Sequence, residues 1–158
     1  MTEEKKMKVV TVIGKENTGK TTLIKYTLDM LVKSGAFVLY YDVTGAGLDD
    51  IRAVVIWNGK VISFCSIGDE ADDDEENEND ELWQLSYVRQ GIEIAQKNKA
   101  DIIVNVCNCK IKNKYKTLLA NMLGSENYTP YEIKEKDDAK EQIIQMQNAY
   151  NEILRKLN

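Results

Sequence analysis

Histidine is absent from all 158 residues. The side chain most often used to move protons near neutral pH is therefore unavailable, and imidazole-ligated metal centres are excluded. Arginine is scarce, occurring only as Arg52, Arg89 and Arg155. A nucleotide-kinase lid that grips phosphate with several guanidinium forks is hard to build from three, which counts against a standard nucleoside monophosphate kinase. The three cysteines, Cys65, Cys107 and Cys109, are odd in number and lack metal-ligand spacing. They read as reduced thiols of a cytoplasmic protein rather than a disulfide framework. No apolar run approaches the roughly 18 residues needed to span a membrane, and Met1 to Lys8 is charged, unlike a signal peptide. Aromatic residues interleave with basic ones only from Lys112 to Lys116 around Tyr115, too little to expect a nucleic-acid partner.

What is present is unevenly charged. The net charge is −5, yet Asp69 to Glu81 holds ten acidic residues and no basic one, so the rest of the chain carries +5. The acidic run reads as a disordered surface loop, with a regulatory or partner-binding role as the sharper alternative. Lys110, Lys112, Lys114 and Lys116 form a basic cluster: the solvated face of a short helix, a phosphate-reaching lid, or a patch for an anionic partner.

The chain is organised around Lys8 to Thr22. A β-branched run, Val9 to Ile13, stops at Gly14, and after four intervening residues come Gly19, Lys20 and Thr21. This is G-x-x-x-x-G-K-[ST] between a strand and a helix, the context a phosphate-binding loop requires. Glycines permit a tight loop whose backbone N–H groups form an anion nest, and the following helix adds its own N-terminal amides. Gly14, Lys15, Glu16, Asn17, Thr18, Gly19, Lys20, Thr21 and Thr22 are the expected nucleotide-binding residues. Within that set Lys20 reaches the β/γ-phosphates and Thr21 ligates Mg²⁺.

At this length one domain, residues 1–158, is expected. A helix follows the loop with Ile24, Leu28, Leu31 and Val32 inward and ends at Gly35. Phe37 to Tyr41 reads as a buried strand, parallel to the first through a right-handed crossover. Arg52 to Trp57 and Val61 to Cys65 flank Asn58-Gly59, a hairpin signal that puts one antiparallel strand at the sheet edge. Leu82 to Lys97 is helical, Asp101 to Cys107 a central buried strand, and Tyr115 to Met122 a shorter helix ending at Gly124. Tyr128 to Ile133 is a weaker strand. The last helix, from about Asp138 to Leu157, carries a stripe of Ala139, Ile143, Met146, Tyr150, Ile153 and Leu157, read as core packing rather than a dimer seam. The alternation predicts a three-layer α/β/α sandwich around a mostly parallel sheet of about five strands.

The chain resembles the P-loop NTPase superfamily. Its first 35 residues or so, with VIGKENTGKTTLIKYTLDMLVKSGAFVLYYD, are similar to the opening of the molybdopterin-guanine dinucleotide biosynthesis protein B family. Lys15 stands five residues before Lys20, the spacing of the signature lysine in partitioning-class ATPases, although Glu16-Asn17 replaces their two glycines. The resemblance implies bound ATP or GTP, Mg²⁺, and a second carboxylate that ends a neighbouring strand and holds Mg²⁺ through water. Asp69 is favoured for that role, from the Ser66-Ile67-Gly68-Asp69 turn, with Asp42 as its rival; alternatively Gly68-Asp69 merely opens the acidic loop. Asn98-Lys99-Ala100-Asp101 matches the guanine-recognition pattern N-K-x-D but precedes a strand, so it would lie on the wrong sheet edge. Asn105, Asn108 and Lys110 are better placed for a base, and adenine is favoured. Three functions are compatible: an ATPase or general NTPase coupled to a protein partner or homodimer; a small-molecule kinase with Asp42 or Asp49 as base; and a nucleotide-binding switch with responsive loops at 42–50 and 67–81. The first is the expected one.

Overall fold

The β-branched segment after Met7 forms β1 (Lys8–Gly14), the strand on which the rest is assembled. A computed structural model describes residues 7–15, 18–44, 50–66, 78–124 and 128–158, without the side chains of 44 and 78–87. After β1 come α1 (Lys20–Lys33), β2 (Phe37–Thr44), β3 (Asp50–Trp57), β4 (Lys60–Cys65) and α2 (Glu78–Lys97). They are followed by β5 (Ile102–Asn108), a 3-10 turn (Cys109–Ile111), α3 (Lys112–Leu123), β6 (Tyr128–Glu132) and α4 (Ala139–Leu157). The fold is mixed α/β, with four helices and a six-stranded, mostly parallel sheet in the order β2-β3-β4-β5-β1-β6.

β1 lies between β5 and β6, parallel to both, and β4 is parallel to β5. β5 is buried along its whole length, as its almost continuous apolar run predicts, with Asn105 and Asn108 buried among apolar neighbours. Pro130 is tolerated because β6 is an edge strand. Asn58 and Gly59 both take positive φ (50° and 73°), the geometry of a two-residue hairpin turn matched to strand twist.

Two expectations about the sheet are corrected. The antiparallel strand, β3, is second from the edge, and the edge itself is β2. β2 is not buried: Phe37 is 66% and Tyr41 55% exposed. The α1 crossover carries β2 beyond β5, β4 and β3, to a place where nothing described covers its apolar residues. Val32, at 41% exposure, also leaves the α1 stripe, and Leu23 and Thr27 take inward positions instead. The second helix starts at Glu78, four residues before the expected Leu82. Residues 67–77, with Asp69 and most of the acidic run, lie outside the described residues, as do Glu16 and Asn17.

Helices cover both sheet faces. Val10 and Val12 of β1 pack with α1 and α4, while Val9 and Ile13 pack with α2 and α3, as strand alternation demands. Tyr26 and Tyr150 meet edge-to-face across α1 and α4 at 4.9 Å. Ile153 and Leu157 of the expected α4 stripe are buried, with Ala149 joining them, and Met146 and Tyr150 are half-buried, but Ala139 is exposed and Ile143 is 58% exposed. On the α2/α3 face a polar triad is sealed into the core. Thr11 Oγ1 donates to Asn105 Oδ1 at 2.7 Å and meets the Tyr115 hydroxyl at 3.0 Å, and Asn105 Nδ2 donates to that hydroxyl.

Burial holds the Tyr115 phenol far above its ordinary range and pushes Tyr128, packed edge-to-face against it, up to about 12. Both remain neutral in the fold while the unfolded chain ionises near 10, so the unfolded state binds fewer protons above that pH. The stability these phenols contribute should be intact below about pH 10 and decline through about pH 12, as denaturant midpoints across that range would record.

Candidate phosphate-binding site

The carboxyl ends of β1, β5 and β6 form one rim of the sheet, and their connections diverge there. α1 leaves β1 on one face, whereas the turn and α3 leave β5 on the other. Such a switch point opens the crevice where α/β sheets bind ligands. Register puts Gly14 directly opposite Asn108, and Ile133 N continues the ladder by donating to Ile13 O at 2.8 Å. The loop from Gly14 to Lys20 thus rises at the centre of the rim.

Its backbone demands glycine twice. Gly19 has φ +94°, a left-handed conformation that strains other residues, and it opens α1. A Cβ on Gly14 would come within 2.7 Å of Thr18 Oγ1 and 2.9 Å of Ile133 O, and the second of these is backbone that cannot swing aside.

Lys20 is 1% exposed. Its ammonium donates to Gly14 O at 2.9 Å and to Lys15 O, with Thr18 Oγ1 at 3.4 Å. Thr18 Oγ1 in turn donates to Lys15 O at 2.8 Å. The charged head is therefore curled inside the loop, where burial of an ammonium requires such partners. Thr21 is half-buried in the first turn of α1, and Thr22 beside it is exposed.

Two glutamines of α4, which carry no motif, fix the loop to the opposite wall. Gln142 Nε2 donates to Thr18 O at 3.2 Å while its Oε1 accepts from Lys136 N at 3.2 Å. Gln145 bonds both the N and the O of Lys134, at 2.9 and 2.6 Å. Between the walls lies a cavity of about 470 Å³ lined by Gly14, Lys15, Thr18, Cys109, Glu132 and residues 133–135. Lys112 pairs with Glu132 at 3.4 Å beside it. A larger cavity, about 600 Å³, lies on the flank of α1 against α4 and takes only Thr22 from the loop. Residues 132–135 and Gln142 were not legible as site residues. The one available signal was that the segment after any parallel strand emerges at this rim.

Other candidates fall elsewhere. Asp42 lies on β2, four strand spacings from β1, about 19 Å by spacing alone, and its carboxylate accepts from Tyr40 at 3.3 Å. The structure does not bring it to the loop. Asp69 and Asp49 lie outside the described residues. Asp50 adjoins the end of β4, where the Ser66 hydroxyl donates to it at 3.0 Å and accepts from Ile51 N at 2.8 Å. Asn105 is committed to the buried triad, correcting its assignment to a base; Asn108 is 2% exposed and accepts from Lys110 N at 2.9 Å. Asn98 to Asp101 lie at the amino end of β5, where Asp101 Oδ2 accepts from Val61 N at 2.8 Å. That is the rim opposite the loop, one strand length away. Lys110, Lys112, Lys114 and Lys116 are all exposed around the buried Tyr115.

Among the described residues no group of three acidic or cysteine side chains could hold a metal, and no helix is long and apolar enough to cross a membrane. Compared with known proteins, the chain matches no family model, no curated protein and no solved structure.

Proposed function

We propose that the loop Gly14–Thr22 binds a nucleoside triphosphate with Mg²⁺, ATP in preference to GTP, and that the chain is a small P-loop NTPase coupling hydrolysis to a protein partner. The observation that carries this reading is the buried Lys20 ammonium, held by loop carbonyls at the head of α1 beside a cavity of nucleoside size. Triphosphate oxygens would take over from those carbonyls as its partners, and the α1 amides would face the same anion. Adenine is favoured because the N-K-x-D segment stands at the opposite sheet edge.

The donor set suits Mg²⁺, which keeps several waters and needs few protein ligands beside the phosphates. Thr21 would supply the hydroxyl and Asp69 the outer carboxylate, and the ion would neutralise charge on the transferring phosphoryl group. Asp69→Asn should lower Mg²⁺-dependent turnover about 10- to 100-fold with little change in nucleotide affinity. Asp42→Asn, on the far edge strand, should change turnover less than about twofold. The reverse order in a phosphate-release assay would transfer the role to Asp42.

A thermal-shift screen over ATP, GTP, ADP and GDP, with and without Mg²⁺, tests the reading directly. At ligand about 100-fold above Kd, binding adds about 2.7 kcal/mol of apparent stability. No shift with any nucleotide would sink it. A specific observation also favours slow turnover or a switch. Arg52 donates to Gln90 at 3.0 Å and Arg155 pairs with Glu152 at 2.8 Å, so neither is directed at the loop, which leaves the exposed Arg89 of α2 or a partner to supply a stimulating arginine.

A further inference from the structure

β2 departs from the way sheet edges are ordinarily protected. Edge strands that stay single are short, charged with lysine, or interrupted by proline. β2 has eight residues, neither lysine nor proline, and Asp42 as its one charge. Among the described residues it pairs with β3 alone, and its apolar side chains are open on both faces: Val38 40%, Leu39 48%, Tyr40 39% and Val43 40%, besides Phe37 and Tyr41. The register slips between Val38 and Tyr40, leaving Tyr40–Thr44 as a regular stretch.

We propose that β2 is a homodimer surface, with β2 of one copy running antiparallel beside β2 of a second, so that the two six-stranded sheets become one. Three observations single out a second copy. An antiparallel strand is its own complement, so a two-fold axis satisfies the open donors and acceptors of both edges without any further element. β2 exposes six apolar residues, and edge-to-edge pairing covers their flanks and sets them beside the same residues of the second copy as cross-strand neighbours. The two longest segments outside the described residues are poor matches by composition. Residues 67–77 carry seven carboxylates and only Ile67 and Ala71 as apolar residues, and residues 1–6 are mostly charged. Neither offers apolar surface to match Phe37, Leu39 and Tyr41.

The surface is independent of nucleotide binding, since β2 lies four strands from β1. Light scattering after size-exclusion chromatography of the full chain, over a dilution series, should show a dimer dissociating at micromolar concentration. Tyr41→Lys should weaken it about 30-fold or more, the loss expected of a central aromatic replaced by an ammonium. Leu39→Lys should act in the same sense, and both variants should keep the wild-type circular dichroism because these positions are half exposed. Hydrogen exchange on the wild type gives a reading without mutation: the amides of Tyr40–Thr44 should gain protection with protein concentration. A monomer at every concentration, a dimer unmoved by both substitutions, or oligomers that grow without limit would overturn the proposal.

Discussion

Lys20→Met should weaken ATP binding about 100- to 10,000-fold, the loss expected when two charge-assisted hydrogen bonds of about 1.5–3 kcal/mol each are removed from a buried anion site. The substitution tests more than the motif. A loop lysine in solvent could be deleted without consequence for folding. Lys20 is instead buried and bonded to Gly14 O and Lys15 O, so truncation to alanine would leave two carbonyls without their donor as well as a void. Methionine also removes the donor but keeps the length and apolar volume, so no void is added and the loss of binding can be read apart from collapse of the loop. Calorimetric titration with Mg·ATP is the measurement, alongside a denaturation curve. Equal affinity in wild type and Lys20→Met would remove the basis for assigning this loop to triphosphate.

Tyr115→Phe should lower unfolding free energy by about 2 kcal/mol, because the lost hydroxyl leaves Thr11 and Asn105 underbonded in a site without water access. For a chain of this size that corresponds to a fall in Tm of about 4–8 °C. Tyr115→Ala, which also empties the largest fully buried side chain, should cost about 3–5 kcal/mol. The triad pins β1 to β5 three residues below Gly14, and α3 to both. Loss of stability should therefore exceed loss of nucleotide affinity in the protein that remains folded. A Tyr115→Phe protein as stable as wild type would mean that the triad is already satisfied by water.

Some of this protein is written in short stretches of residues. The strand, glycine loop and helix at 8–33 follow from β-branching, from the left-handed Gly19 and from helical spacing, none of which needs a distant contact. The hairpin at Asn58-Gly59 and the caps at Gly35 and Gly124 are equally local, as is the misplacement of Asn98 to Asp101, which precede their strand instead of following it. The buried β5 was legible because a run of five apolar residues broken only by Asn105 tolerates no wet face. What the sequence could not decide was which strands become neighbours. Phe37 to Tyr41 has the composition of a buried strand, and only the long α1 crossover reveals it as an edge, since an apolar strand reads alike whether its partner is the same sheet or another molecule. The same holds for the loop. Its residues were evident, but the burial of Lys20, the reach of Gln142 to Thr18 O and the cavity wall at residues 132–135 arise from β6 and α4 closing beside β1. Pairing across more than a hundred residues is set by the sum of core packing on two faces, and no local pattern carries that sum.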